Sequence, residues 1–136
     1  MKKQIAIILT AAVLTVSTYT AQADKFLEDF NAYAEGYGIP EIKPVVENIS
    51  YKSSEVEILN IGEVDIYGEN PISVISSACC ALRAIDSGSQ IDQYGRVLHA
   101  FFLNSSSGNG SRATTETGVL IFCSEEKGIY TIRLVK

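Results

Sequence analysis

The stretch Asn70–Asp86, NPISVISSACCALRAID, decides the fold because it contains the clearest helix signals in the chain. Asn70 is a preferred helix N-cap residue. Pro71 suits the first helical position, because an N–H group at that position has no helical hydrogen-bond partner in any case. Gly88 follows shortly after the far end, where helices commonly stop. We therefore predict a helix from Pro71 to about Ile85.

One side of this helix has the composition of a core-facing stripe. At about 100° per residue, seven apolar side chains fall within an arc roughly 160° wide, which is typical of a buried face. These residues are Val74, Ile75, Ala78, Cys79, Ala81, Leu82 and Ile85.

The opposite side of the helix carries small side chains and little charge. Arg83 is the only charged residue in the predicted helix, whereas a solvated helix face usually carries several charges. We expect this second face to be covered, either by the first helix of the chain or by a protein partner; a serine surface left in water is the alternative. The predicted binding residues on it are Ser73, Ser77, Cys80 and Ala84.

The N-terminal segment has the layout of a secretory signal peptide. Two lysines precede the apolar run Ile5–Val16, and the residues up to Ala23 fit an A-x-A cleavage site. The run is shorter than the roughly 18 residues of a membrane-span candidate, so we expect no stable membrane insertion after cleavage. We predict a signal peptide over residues 1–23, a single mature domain over residues 24–136, and a periplasmic or secreted location.

The predicted mature chain is acidic. Cleavage removes Lys2 and Lys3 and leaves 9 basic against 16 acidic residues, so the net charge changes from −5 to −7. Such a chain repels phosphate backbones, and it has no cluster of Lys and Arg to offset the repulsion. We therefore predict no nucleic-acid partner.

The start of the mature chain is predicted to be helical. Phenylalanine and tyrosine recur at helical spacing over residues 24–38, and Gly38 stands just before Pro40, where a helix can end. The two prolines within residues 39–52 predict an extended connector without regular structure until about Val45.

The segments on either side of the central helix favour strands. Val56–Ile61 and Val64–Tyr67 are rich in β-branched residues and predict a hairpin. Residues 86–95 are polar and contain glycine, which predicts a loop. Val97–Leu103 is apolar on both alternating faces, which predicts a central strand, and residues 104–116 predict a long polar loop or a hairpin arm.

A hairpin is predicted at the C-terminus. Thr117–Ser124 forms its first strand and Glu125–Gly128 its turn, a register that pairs Phe122 with Ile132 and places Cys123 on the less apolar face. The element order is then helix, two strands, helix and three strands. This order predicts an α+β domain with two helices and a mostly antiparallel sheet of about five strands.

Three cysteines in an exported chain raise the question of a disulfide. Cys79 and Cys80 are adjacent and point about 100° apart on a helix, so they are poorly placed to bridge each other. The candidate bridge is Cys80–Cys123, which an oxidising compartment would favour and the predicted hairpin register would oppose. The alternative is that the thiols stay free and act as small hydrophobic side chains.

The spacing of reactive side chains gives little support to catalysis. His99 is the only histidine and lies in an apolar segment, where a structural role is expected. Cysteine–histidine catalysis needs a third group that orients the imidazole, and thiol exchange of the familiar kind needs a CxxC pair, which the chain lacks. Close pairs of metal ligands are missing as well. We predict no catalytic residues, no metal and no cofactor.

Two classes of function remain. We predict a small exported, non-enzymatic interaction module, such as an adaptor, an inhibitor or a subunit of an envelope complex, that binds a protein partner. Its second recognition surface would be the polar loop, with Asn104, Asn109 and Arg112 as binding residues, since loops often carry recognition. The alternative is a small periplasmic hydrolase or ligand sensor that uses His99 with a cysteine or a carboxylate.

Overall fold

The computed structural model describes residues 24–46, 49–59, 63–104 and 111–136. Within them the chain has an α+β fold, as predicted, with three helices and a seven-stranded antiparallel sheet. The helices are residues 24–37 (α1), Pro71–Ile85 (α2) and Ile91–Asn104 (α3). The strands are Lys43–Val46 (β1), Ser50–Lys52 (β2), Glu57–Leu59 (β3), Glu63–Gly68 (β4), Ser111–Thr114 (β5), Leu120–Glu126 (β6) and Ile129–Val135 (β7).

The sheet has the strand order β1-β2-β3-β4-β7-β6-β5, and each neighbouring pair is antiparallel. The first four strands follow one another as a meander. The last three form a second meander whose final strand pairs with β4. The two helices α2 and α3 lie between these meanders in the chain. The two meanders are joined into one sheet by the pairing of β4 with β7, which are distant in sequence.

All three helices pack on one face of the sheet. The ring of Phe26 in α1 lies 6.0 Å from that of Tyr51 in β2, while α2 packs on β4 and β7 and α3 on β5 and β6. The side chains between the helices and the sheet form one hydrophobic core. The fully buried members contributed by the central strands are Ile58, Val64, Ile66, Ile121, Cys123, Ile132 and Leu134.

The ends of α1 and α2 agree with the sequence signals. The Oδ1 atom of Asn70 accepts hydrogen bonds from the N–H groups of Ile72 at 2.9 Å and Ser73 at 3.4 Å. At the end of α1, Gly38 has a φ of 67° and the N–H of Ile39 bonds to the carbonyl of Ala34 at 3.1 Å, which is a glycine-terminated helix end. Both predicted helices are therefore confirmed.

The segment Val97–Leu103 is helical, so its prediction as a central strand was wrong. The buried side chains Tyr94, Leu98 and Phe102 recur every four residues and face the sheet. A continuous apolar run fits the periodicity of a helix and that of a strand equally well. Here the helical conformation is the one that places Tyr94, Leu98 and Phe102 together on the buried side. Residues 91–95 belong to the same helix rather than to the predicted loop.

The strand count was also underestimated. The hairpin predicted from Val56–Ile61 and Val64–Tyr67 is present as β3 and β4. Two further strands, β1 and β2, form within the segment predicted as a connector. The segment predicted as a long polar loop or a hairpin arm contains β5, which pairs with β6 as a hairpin arm. Each of these strands has three or four residues, so pairing with a neighbouring strand rather than their own composition selects the extended state.

The register of the C-terminal hairpin differs by one residue from the prediction. Its turn consists of Lys127 and Gly128, which have positive φ angles of 53° and 83°, as a two-residue type I′ hairpin turn requires. Cys123 therefore pairs with Ile132, and Phe122 faces the other side of the sheet. The shift moves Cys123 to the buried face, opposite to the prediction.

All three cysteines are buried free thiols, and the Cys80–Cys123 disulfide is not present. Burial, and to a smaller extent the neighbouring Cys79, raises the pKa of Cys80 from 9.0 to about 12. Burial raises the pKa of Cys123 to about 12 as well. Both thiols are protonated at neutral pH and contribute to the core as small apolar side chains.

Candidate functional site

The small face of α2 is inside the protein. Ser73, Ser77 and Cys80 are buried, and Ala84 is partly buried against the core. Arg83, at the edge of this face, donates from Nε to the hydroxyl of Tyr33 in α1 at 3.3 Å and stacks over its ring. Ser73, Ser77 and Cys80 are consequently not available on the surface of the folded chain, and Ala84 is available only in part.

The second predicted surface is described only in part. Arg112 is exposed on the edge strand β5, and Asn104 is the last residue of α3. Asn109 lies outside the described residues. Of the three residues predicted on this surface, only Arg112 is therefore described as an exposed side chain.

A groove between α2 and α3 is the candidate functional site. It has a volume of about 490 Å³, and all of its lining residues belong to helices. We call it the interhelical groove. Its lining residues are Tyr37, Ile72, Ile75, Ser76, Cys79, Gly95, Arg96 and His99.

Close contact between two helices forms the bottom of the groove. Gly95 of α3 faces Cys79 of α2 so closely that a β-carbon at Gly95 would lie 3.3 Å from the Sγ atom. Cys79 itself is only 1% exposed, and Ile75 beside it is buried. The glycine therefore lets the two helices approach, and the groove has an apolar bottom.

The rim of the groove combines one large apolar side chain with basic groups. Ile72 is 64% exposed, the largest exposed fraction among the large apolar side chains of α2. Arg96 and His99, three residues apart on α3, lie on the same side of that helix and are both exposed. A ligand in the groove would meet apolar surface below and cationic or hydrogen-bonding groups at the edge.

The groove brings His99 and Cys79 together, but it does not contain a complete catalytic set. None of its lining residues is an aspartate or glutamate that could orient the imidazole. Cys80, the other helix thiol, is buried and its raised pKa keeps it protonated. The arrangement is suited to binding rather than to nucleophilic attack.

The carboxylates collect at a different place. A larger groove of about 570 Å³ at one end of the sheet is lined by Glu55, Glu57 and Glu69, together with Lys52 and Tyr67. Within the described part of the chain, no group of three or more histidine, cysteine, aspartate or glutamate side chains is placed to hold a metal ion. Repulsion between the carboxylates makes this groove a poor site for an acidic ligand.

Comparison of the chain with protein-family models, with curated proteins and with solved structures finds no match. Of the helices in the described ranges, none has the length and apolar character needed to cross a membrane. The predicted signal peptide lies outside those ranges.

Two functional features of the groove were missed by sequence reasoning. Ile72 was assigned to neither face of the predicted helix, and Arg96 lies between the predicted loop over residues 86–95 and the predicted strand Val97–Leu103. Their proximity depends on α3 being a helix that packs against α2. The available signal was the recurrence of Tyr94, Leu98 and Phe102 at intervals of four residues.

Proposed function

We propose that the chain is a small exported, non-enzymatic interaction module that binds a protein partner in the interhelical groove. The partner segment is a short peptide with an apolar side chain next to an acidic residue. The observation that carries this proposal is the exposed Ile72 above an apolar bottom, with Arg96 and His99 at the rim.

Charge complementarity supports an acidic partner segment. The whole chain has a net charge of −5, yet the lining of the groove contains no carboxylate and includes one guanidinium and one imidazole. An approaching acidic segment is repelled by most of the surface and attracted at this groove, which favours correct docking. An apolar anchor is needed for affinity, because exposed charge pairs contribute little.

The exported location of the module follows from the predicted signal peptide. The N-terminal residue of the processed chain is then Asp24. Mass spectrometry of the protein recovered from the periplasm of a bacterial host tests this directly. Recovery of the chain in the cytoplasm with residues 1–23 intact contradicts export.

Photo-crosslinking identifies the partner and tests the site. A photoreactive residue at position 72 is compared with one at position 45, because Ile72 and Val45 are 64% and 62% exposed but lie on different parts of the surface. We expect a protein crosslinked from position 72 only, and loss of that crosslink in Arg96→Glu. Equal capture from both positions contradicts the proposal.

A small hydrolase or ligand sensor is the alternative, and the shared groove of His99 and Cys79 is the observation in its favour. His99→Ala and Cys79→Ser discriminate between the two functions. An enzyme loses turnover in both variants while remaining folded. A binding module has no turnover to lose and retains its partner in Cys79→Ser, because the thiol is almost fully buried.

A further inference from the structure

The face of the sheet opposite the helices carries apolar side chains in its central strands. We call it the open face. Phe122 and Leu120 on β6 are 37% and 39% exposed, and Val135 on β7 is partly exposed beside them. A monomeric protein normally keeps such residues scattered, whereas here they are neighbours in one register.

The strand register arranges the open face in rows that run across β4, β7, β6 and β5. The central row reads Asp65, Arg133, Phe122 and Arg112. Its first two members form an ion pair, with 2.6 Å between Asp65 Oδ1 and Arg133 Nε. The row on one side reads Glu63, Val135, Leu120 and Thr114, and Thr131 and Ser124 pair on the other side.

These rows are complementary to themselves when reversed. A twofold axis parallel to the strands and between β7 and β6 places the first member of each row over the fourth, and the second over the third. In the central row, Asp65 then faces Arg112 and Arg133 faces the ring of Phe122. In the neighbouring row, Val135 faces Leu120. These three facing pairs join opposite charges, a cation with an aromatic ring, and two aliphatic side chains. The two other facing pairs, Glu63 with Thr114 and Thr131 with Ser124, join polar side chains.

We propose that the open face is the interface of a homodimer related by this axis. Face-to-face packing of two sheets with strands nearly aligned is a common arrangement and leaves about 10 Å between them. The dimer is isologous, so each contact occurs twice. The helices and both interhelical grooves then face outward, which makes this interface independent of the proposed partner site.

The area of the open face sets the expected affinity of the dimer. β4 has six residues, β5 has four, and β6 and β7 have seven each. At about 4.8 Å between strands, the four strands span at most roughly 19 by 24 Å, or about 460 Å². That footprint is smaller than the roughly 800 Å² per partner of a standard specific interface and is typical of weak, transient contacts. We therefore expect a dimer with a dissociation constant in the micromolar range rather than an obligate one.

Analytical ultracentrifugation of the purified protein over a range of concentrations tests the dimer. Phe122→Lys places a second cation opposite Arg133 and removes the ring at the centre of the apolar contact, and we expect the dissociation constant to rise at least about tenfold. Ile72→Glu is the matched control, since it also replaces an exposed apolar residue but lies on the helix side. We expect it to leave dimerisation unchanged.

Cysteine crosslinking is a second test of the dimer, and it uses substitutions of exposed serines that leave the apolar residues of the open face unchanged. Ser124→Cys introduces an exposed thiol on the open face, whereas the three native cysteines are buried. A short bis-maleimide should join two Ser124→Cys chains but not two Ser54→Cys chains, whose new thiol lies in an exposed turn away from the axis. A chain that stays monomeric at all concentrations, or a dimer that dissociates in Ile72→Glu and persists in Phe122→Lys, overturns the proposal.

Discussion

Asn70 begins α2 through its side chain, because Oδ1 replaces the helical acceptor that the first N–H groups lack. Asn70→Ala is expected to lower the free energy of unfolding by about 1 kcal/mol, the usual cost of a lost N-cap. Urea denaturation followed by circular dichroism measures this change. Asn70→Asp retains the acceptor and should stay within about 0.5 kcal/mol of the unmodified chain; an equal loss in both variants would contradict a capping role.

Cys80 and Cys123 make stability depend on pH in the alkaline range. Their pKa values are raised from 9.0 in the unfolded chain to about 12 in the fold by burial. Between these values the unfolded chain loses thiol protons that the native chain keeps. The free energy of unfolding must therefore fall as the pH rises from about 9 to about 12.

Alanine substitutions isolate this effect from other titrating groups. In the double variant Cys80→Ala, Cys123→Ala the lysines and tyrosines remain, so the difference in slope against pH belongs to the thiols. We expect a shallower decline between pH 9 and pH 12 in the double variant, even though its stability at pH 7 is lower because of the cavities it creates. Identical slopes would show that the thiols do not ionise on unfolding in this range.

Two glycines at the ends of elements have opposite environments. A β-carbon at Gly68, the last residue of β4, would lie 2.8 Å from the carbonyl oxygen of Glu55 and 2.8 Å from Val74 Cγ2. A β-carbon at Gly36, near the end of α1, would meet no atom within 4 Å. Gly68 therefore allows the close contact of β4, α2 and the turn before β3.

The same substitution at these two positions should change stability in opposite directions. Gly68→Ala is expected to cost about 1–3 kcal/mol, because a backbone oxygen cannot move away without displacing the turn. Gly36→Ala should stabilise the chain by up to about 1 kcal/mol through helix propensity. Thermal unfolding of both variants measures the two changes in stability. An unchanged stability in Gly68→Ala would show that the turn around Glu55 relaxes freely.

The elements that were predictable from sequence are those with local determinants. Helix α2 is specified by Asn70 and Pro71, and α1 by its apolar spacing and Gly38. Helix α3 was not predictable in the same way, because Gly95 has the appearance of a loop residue until its contact with Cys79 is known. The hairpin register likewise depended on whether the loop between the paired residues contains two residues or three, and one residue of error reverses both faces of a strand.

At the scale of the whole molecule, the α+β class followed from the order of elements, while the candidate site did not. The interhelical groove requires the packing of α2 against α3, and the rows of the open face require pairing of β4 with β7 across a long stretch of chain. Both are products of tertiary contacts between distant segments. A pattern in a single segment therefore indicated neither surface. The small face of α2, for which the first helix and a protein partner were the two predicted covers, is largely buried within the chain itself.

The two proposed surfaces together predict that the protein bridges two partner molecules. In the dimer, two sheets about 10 Å apart lie between two helix layers, so the grooves face in opposite directions and cannot both reach one flat surface. Protein held by an immobilised partner segment should then capture a second, fluorescently labelled copy of that segment from solution. Phe122→Lys should bind the immobilised segment normally and capture none, whereas Ile72→Glu should fail at the first step. Surface-capture fluorescence measures both steps, and capture by Phe122→Lys at the level of the unmodified chain would show that bridging does not depend on the open face.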